Sequence, residues 1–124
     1  MTTDAWPTEI RLLDNGHALR VAFDDGARFT LSAELLRVRS PSAEVQGHSP
    51  ADQKTVGGKR DVAIISVGPV GNYAIRLGFD DMHATGIYTW RYLRHLGETA
   101  EASFAAYLEE LAAKGLDRDR PGEG

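Results

Sequence analysis

The 124-residue sequence contains no cysteine. This absence excludes disulfide bonds, thiolate zinc sites, cysteine-ligated iron–sulfur clusters and a cysteine nucleophile. No apolar run approaches the roughly 20 residues needed to cross a bilayer, and the first residues lack a signal-peptide pattern. We therefore expect a cytoplasmic domain that binds no membrane and whose core is stable without cross-links.

An excess of positive charge is also missing. The 14 Lys and Arg residues are outnumbered by 18 Asp and Glu residues, giving a net charge of −4. This balance argues against a general nucleic-acid binder, because such proteins bind largely by neutralising phosphates. The charge is uneven: residues 1–35 hold six acids and three bases, whereas residues 36–60 hold five bases and two acids. The basic loop is a candidate contact for an anionic ligand or an acidic partner, and ordinary solvated charge is the alternative.

Alternating apolar and polar residues predict a unit of three strands and a short helix in residues 9–36. The strands are predicted at Glu9–Leu13, His17–Phe23 and Ala27–Leu31, and Asp25-Gly26 provides a hairpin turn. Ser32 is a suitable N-cap for the helical turn that follows.

The same pattern recurs 56 residues later, where Ile75–Asp81 matches Leu19–Asp25. Strands are predicted at Asp61–Val67 and Tyr73–Phe79. Thr89 is the expected N-cap of the second short helix and Gly97 its expected end. Two such units predict one small antiparallel sheet with helices on one face.

The fold class predicted is therefore α+β: a small, mostly antiparallel sheet from two hairpin-plus-short-helix units, with a C-terminal amphipathic helix. That helix is predicted at Ala100–Lys114, because four apolar residues recur there at helical spacing. We expect a domain at residues 1–97, followed by the helix and a flexible acidic tail at residues 98–124.

Four strings of residues occur in a distinctive order. They are Ser40-Pro41-Ser42-Ala43-Glu44-Val45, Gly58-Lys59-Arg60-Asp61-Val62, Pro69-Val70-Gly71-Asn72-Tyr73 and Phe79-Asp80-Asp81-x-His83-x-x-Gly86-Ile87-Tyr88-x-Trp90. Together they resemble the gamma-butyrobetaine hydroxylase-like N-terminal domain family over about Trp6 to Gly97. In that family the domain precedes the iron- and 2-oxoglutarate-dependent barrel of carnitine-synthesis hydroxylases, or is fused in some plant proteins to a P-loop scaffold ATPase of iron–sulfur cluster assembly. In bacteria it often stands alone, as this chain would, with no settled activity.

The resemblance also implies where the structural zinc of the hydroxylases would lie. The hydroxylases bind it with three cysteines just after a Leu-Arg pair and with a distant histidine. Leu36-Arg37 fixes the register and places Ser40, Ser42 and Val45 at the cysteine positions, while His83 matches the histidine. A serine hydroxyl is not ionised at neutral pH and valine cannot ligate, so we expect the zinc site to be lost and no cofactor to be bound.

No motif of a common enzyme class is complete. Iron oxygenases pair a histidine with an acid two residues later, but here the four such positions hold Leu19, Pro50, Thr85 and Gly97. The string Gly57-Gly58-Lys59-Arg60 lacks the first glycine and the Ser/Thr of a P-loop. We therefore expect a protein without catalytic residues of its own.

By analogy with the family, we expect a non-catalytic binding or adaptor module that assists iron–sulfur or metal-cofactor assembly. Its expected partner is a scaffold ATPase or a cluster carrier. One alternative is a metal-binding subunit or relic of a 2-oxoglutarate-dependent oxygenase, with a metal at His48, His83 and Asp81. Another is a binder of a small anionic ligand. The candidate interaction surface comprises Arg37, Arg39, His48, Lys59, Arg60, Tyr88 and Trp90.

Overall fold

The computed structural model describes residues 6–41, 55–84 and 86–119. The first unit contains three antiparallel strands followed by a short helix. These elements are β1 (Pro7–Leu13), β2 (Ala18–Phe23), β3 (Arg28–Ser32) and α1 (Ala33–Val38). The central strand of this first sheet is β2. A 3-10 turn at Asp14–Gly16 joins β1 to β2.

The second unit repeats this order and is followed by a longer helix. Its elements are β4 (Ile64–Val70), β5 (Ala74–Phe79), β6 (Gly86–Thr89), α2 (Trp90–Glu98) and α3 (Ala100–Ala113). The central strand of this second sheet is β5. The predicted α+β class with two hairpin-plus-short-helix units is confirmed.

The two units correspond in backbone detail as well as in sequence. The central strands begin at Ala18 and Ala74, 56 positions apart. Both first strands also interrupt their pairing register near the start, between Pro7 and Glu9 in β1 and between Ile64 and Ser66 in β4. Such a bulge bends a strand and increases its twist. The repeat therefore includes a local irregularity that the sequence pattern did not reveal.

The strands form two three-stranded sheets, whereas the sequence pattern predicted one. The helix α2 of the second unit packs against β3 of the first. Gly97 of this helix lies so close to Phe29 in β3 that a Cβ atom would be 2.4 Å from the ring. Because α2 covers this strand, the second sheet does not continue the first.

Both units contribute to one apolar core. Its fully buried side chains come from both sheets and both short helices, and they include Leu19, Leu31, Leu36, Leu77, Phe79, Tyr88 and Leu93. Burying each large apolar side chain stabilises the fold by about 1.5–3 kcal/mol. Packing between the units, rather than pairing between their sheets, holds them together.

The starts of the two short helices agree with the sequence, but the end of α2 does not. The Ser32 hydroxyl accepts the N–H of Leu35 at 3.0 Å, and the Thr89 hydroxyl accepts the N–H of Tyr92 at 3.1 Å. Both predicted N-caps are therefore confirmed. The prediction that Gly97 ends the helix is wrong, because α2 continues to Glu98. The glycine is needed for close packing against Phe29.

The C-terminal helix α3 packs by the face that its sequence predicted. Tyr107 and Leu111 are buried against Val38, and the Tyr107 hydroxyl donates to the carbonyl of Val56 at 2.5 Å. Beyond the helix the chain runs beside the segment before β4. There the N–H of Gly58 donates to the Asp117 carbonyl at 2.9 Å, and Arg60 N–H donates to the Arg118 carbonyl at 3.0 Å.

The predicted flexible tail includes residues 120–124, which lie outside the described residues. In the part of the chain that is described, no helix has the length and apolar character needed to cross a membrane.

Candidate functional site

A buried hydrogen-bonded pair, Ser40 and His83, lies between the two units. Ser40 follows α1, and His83 lies in the connection from β5 to β6. The Ser40 Oγ is 3.0 Å from the Nε2 of His83, and both side chains are buried. The structure thus brings together two of the residues that the family register places at zinc positions. The other two, Ser42 and Val45, lie outside the described residues.

Tyr88 and Gly86 of β6 pack around this pair. The Tyr88 hydroxyl is fully buried and donates to the carbonyl of Leu36 at 2.6 Å. Burial raises the pKa of Tyr88, so the phenol stays neutral and remains a donor. A Cβ atom at Gly86 would lie 2.5 Å from the Ser40 Oγ and 3.0 Å from the Tyr88 ring. Only glycine leaves room for this packing.

Asp81 forms the charged centre beside the pair. Its Oδ2 accepts from Arg37 Nε at 2.7 Å and from Lys59 Nζ at 2.6 Å. Its Oδ1 accepts the backbone N–H of His83 at 3.1 Å. Burial alone would raise the pKa of Asp81, but hydrogen bonds from Lys59, Arg37 and His83 lower it to about 2. One carboxylate therefore ties α1, the segment before β4 and the turn after β5 together.

The donors at this site do not fit a zinc ion. Ser40 offers a neutral hydroxyl that is hydrogen-bonded to His83. The Asp81 carboxylate already binds two cations. Within residues 6–41, 55–84 and 86–119, no three His, Asp or Glu side chains are arranged to hold a metal ion. His48, the third residue of the alternative metal site, lies outside those ranges.

The geometry does not match a hydrolase triad either. A catalytic serine must reach its substrate, whereas Ser40 is 0% exposed. In a triad the acid orients the histidine ring, but Asp81 accepts a hydrogen bond from the backbone N–H of His83. The pair therefore has a structural role in joining the two units.

The four described cations of the predicted basic loop each pair with an acid. Arg37 and Lys59 bind Asp81, Arg39 binds Glu110 at 3.0 Å, and Arg60 binds Asp119. A cavity of about 230 Å³ beside Lys59 is lined by two cations and four aspartates. Its excess of carboxylates makes it a poor site for an anion. Neutralisation within the fold therefore removes the positive patch suggested by the sequence.

The predicted interaction residues do not all lie on one exposed surface. Tyr88 is inside the core, as described above. Trp90 is half-buried, and its Nε1 donates to the Asn72 carbonyl at 2.9 Å. His48 lies outside the described residues. Arg37, Arg39, Lys59 and Arg60 surround the connection between α1, α3 and β4 as ion-pair partners.

Sequence reasoning missed two features with consequences for function. Glu34 on α1 is only 4% exposed and is bound by Arg118 through two hydrogen bonds of 2.8 and 2.6 Å. In contrast, Ile65 on β4 is 67% exposed, although the strand is apolar. The bulge beside Ile65 turns this side chain outward. No alternation rule predicts such a bulge.

Comparisons with known proteins give one family and several related structures. The model of the family described as Gamma-butyrobetaine hydroxylase-like, N-terminal matches residues 10–94. Two NMR solution structures, each with a TM-score of 0.80, are 41% and 42% identical to this chain. The first covers 97% of this chain and 94% of its own, and the second covers 95% and 90%.

A crystal structure of a protein of unknown function from Acidithiobacillus ferrooxidans, which belongs to the DUF971 family, is also similar. It is 42% identical, has a TM-score of 0.61 and covers 73% of this chain and 91% of its own. Among proteins with curated descriptions, none matches this chain.

Proposed function

Because this chain belongs to the gamma-butyrobetaine hydroxylase-like N-terminal family, we propose that it is a non-catalytic protein-binding module that assists iron–sulfur or metal-cofactor assembly. Its polar residues at the family's zinc positions bind each other and hold the fold together. The module acts by docking, since its described polar cluster offers neither an accessible nucleophile nor a set of metal ligands.

The observation that carries this proposal is the exposed apolar edge of the second sheet. β4 is an edge strand, and Ile64–Val70 contains no charged residue. Ile65 is 67% exposed and Val67 is 38% exposed. Edge strands usually carry charges or are covered, because a bare edge pairs with other chains. A partner strand added to β4 would bury both side chains and pair with the outward backbone groups.

The proposed partner is a scaffold ATPase or a cluster carrier, and the support is analogy with relatives that are fused to such an ATPase. Without cysteine this chain supplies no thiolate to an iron–sulfur cluster. It therefore contributes a docking surface while the partner holds the cluster. The absence of disulfides is consistent with the cytoplasmic location that this role requires.

The test is binding of the purified chain to a purified scaffold ATPase and a purified cluster carrier, measured by calorimetry. Ile65→Lys should weaken binding by about tenfold or more, because it places a charge in the apolar strand contact. Leu108→Lys is the matched control, since Leu108 is an exposed apolar residue on α3. Equal effects of the two substitutions, or no binding by the unsubstituted chain, would contradict the proposal.

The oxygenase alternative requires a bound metal, for which the described donors are unsuitable. Metal analysis of the untagged protein should find less than about a tenth of an equivalent, because no set of deprotonated ligands is preformed. A stoichiometric transition metal would favour that alternative. The anionic-ligand alternative is disfavoured by the pairing of Arg37, Arg39, Lys59 and Arg60 with acids.

A further inference from the structure

The outward face of the first sheet collects all three basic residues of residues 1–35. Residues that pair directly across antiparallel strands lie on the same face. The register pairs Arg11 with Arg20 and Arg20 with Thr30, and it pairs Ala22 with both Glu9 and Arg28. We call this surface the arginine face: Arg11, Arg20 and Arg28, with Glu9 and Thr30 between them. The apolar residues of the same strands point to the core.

Little negative charge compensates these arginines. Glu9 lies 3.4 Å from Arg11 in an exposed ion pair, which is a weak interaction. Arg20 and Arg28 form no ion pair with any described residue. The other acids of this segment face elsewhere: Asp25 binds Arg94 and Glu34 binds Arg118. An acidic protein thus carries a local excess of two positive charges on one flat surface.

The position of Arg11 opposite Arg20 is unfavourable in the isolated chain. Directly opposed residues lie about 5 Å apart, and like charges in such a pair destabilise a sheet. An anionic ligand that binds both guanidinium groups would remove this repulsion. Arginine also binds carboxylates through two parallel hydrogen bonds.

We propose that the arginine face is a docking surface for an acidic segment of a partner protein. Side chains one turn apart on a helix lie about 5–6 Å from each other, similar to the separation between the opposed arginines. Carboxylates at this spacing would face Arg11 and Arg20 together. The face has no aromatic residue on which a base could stack, and Glu9 would repel phosphates, so an acidic polypeptide fits better than a nucleic acid. This surface is separate from β4, and the inference does not depend on the proposed function.

The test uses a fluorescent peptide of eight glutamates and a single-stranded oligonucleotide of eight thymidines. Both are titrated into isotope-labelled protein at low salt, with binding followed by anisotropy and by amide chemical shifts. We expect saturable peptide binding that shifts the amides of β1, β2 and β3. Arg11→Gln/Arg20→Gln should weaken it about tenfold, and added salt should weaken it further.

Arg76→Gln/Lys114→Gln is the matched control, because it removes two exposed positive charges from other surfaces. It should change the affinity less than about twofold. Equal weakening by both double variants would show a net-charge effect and overturn the proposal. Tighter binding of the oligonucleotide, shifts away from the first sheet, or no saturable binding of the peptide would also overturn it. Thermal melting of every variant separates loss of binding from loss of the fold.

Discussion

Asp81 shows how one side chain can determine the arrangement of three segments. Its two oxygens bind a cation on α1, a cation in the segment before β4 and the backbone of the turn that carries His83. All three partners stabilise the ionised form. The carboxylate therefore positions the neighbouring Ser40–His83 pair as well as neutralising Arg37 and Lys59.

Asp81→Asn should lower the free energy of unfolding at pH 7 by about 2 kcal/mol. The pKa of Asp81 is lowered from 3.8 to about 2 in the folded chain. Its contribution is therefore complete above pH 4 and is lost as the pH falls through about 2. Urea unfolding at several pH values measures this, and the variant should lose part of the pH dependence between pH 4 and pH 2.

Asp61→Asn is the control for Asp81, since it removes the same charge from an exposed residue. It should change stability by less than about 0.5 kcal/mol. A similar loss in both variants would mean that net charge, rather than the contacts of Asp81, causes the effect.

Gly86→Ala should destabilise the fold by about 1–3 kcal/mol, because the added methyl overlaps the Ser40 hydroxyl. Gly68→Ala is the matched control in another strand, where nothing lies within 4 Å of the added carbon. Chemical unfolding compares the two. If Gly86→Ala is as stable as the control, the close packing around Ser40 and His83 is not present in solution.

At the scale of secondary structure, pairing register decides where charge appears. Residues 1–35 have a negative sum, yet β1, β2 and β3 place their arginines on one face. The segment with the positive sum forms ion pairs instead. A sum over consecutive residues therefore does not predict the sign of a surface.

Arg20→Thr should stabilise the first sheet by about 0.5 kcal/mol, since it removes the repulsion from Arg11 and introduces a residue that favours strands. In Arg76→Thr the neighbours across the strands are Gly68 and Ile87, so no like charge is relieved. Thermal melting at low and high salt measures both variants. A gain that is equal in both, or that does not shrink with salt, contradicts repulsion at the arginine face.

Across the whole molecule, the segment after α3 completes the first unit. Arg118 covers the buried carboxylate of Glu34, and its guanidinium lies 5.1 Å from the centre of the Phe104 ring. The backbone hydrogen bonds of Asp117 and Arg118 hold this segment beside Gly58 and Arg60. Residues beyond the family match at 10–94 are thus part of the folded structure.

Arg118→Gln should cost about 2–3 kcal/mol, because it leaves Glu34 charged and buried without its partner. The double variant with Glu34→Gln should lose less than the sum of the two single losses. Urea unfolding of the four proteins gives this coupling. Arg60→Gln, at an exposed pair with Asp119, is the control and should cost less than about 1 kcal/mol. Strict additivity would contradict the buried pair.

The sequence by itself determined the local elements. Alternation located the strands, Ser32 and Thr89 marked the starts of helices, and the repeat of 56 residues gave two similar units. These features depend on neighbours in the chain, whose chemistry is visible in the order of residues. The family register also identified Ser40 and His83, which the structure places in contact.

Only the tertiary structure decided how the units pack and which charges are neutralised. The separation into two sheets depends on α2 covering β3, and Gly97 serves this contact rather than a helix end. Asp81 and Glu34 find partners far away in the chain, at Lys59, Arg37 and Arg118. Such pairs depend on the meeting of distant segments, which no local spacing encodes. The exposed edge of β4 and the arginine face are the surfaces left after that pairing is complete.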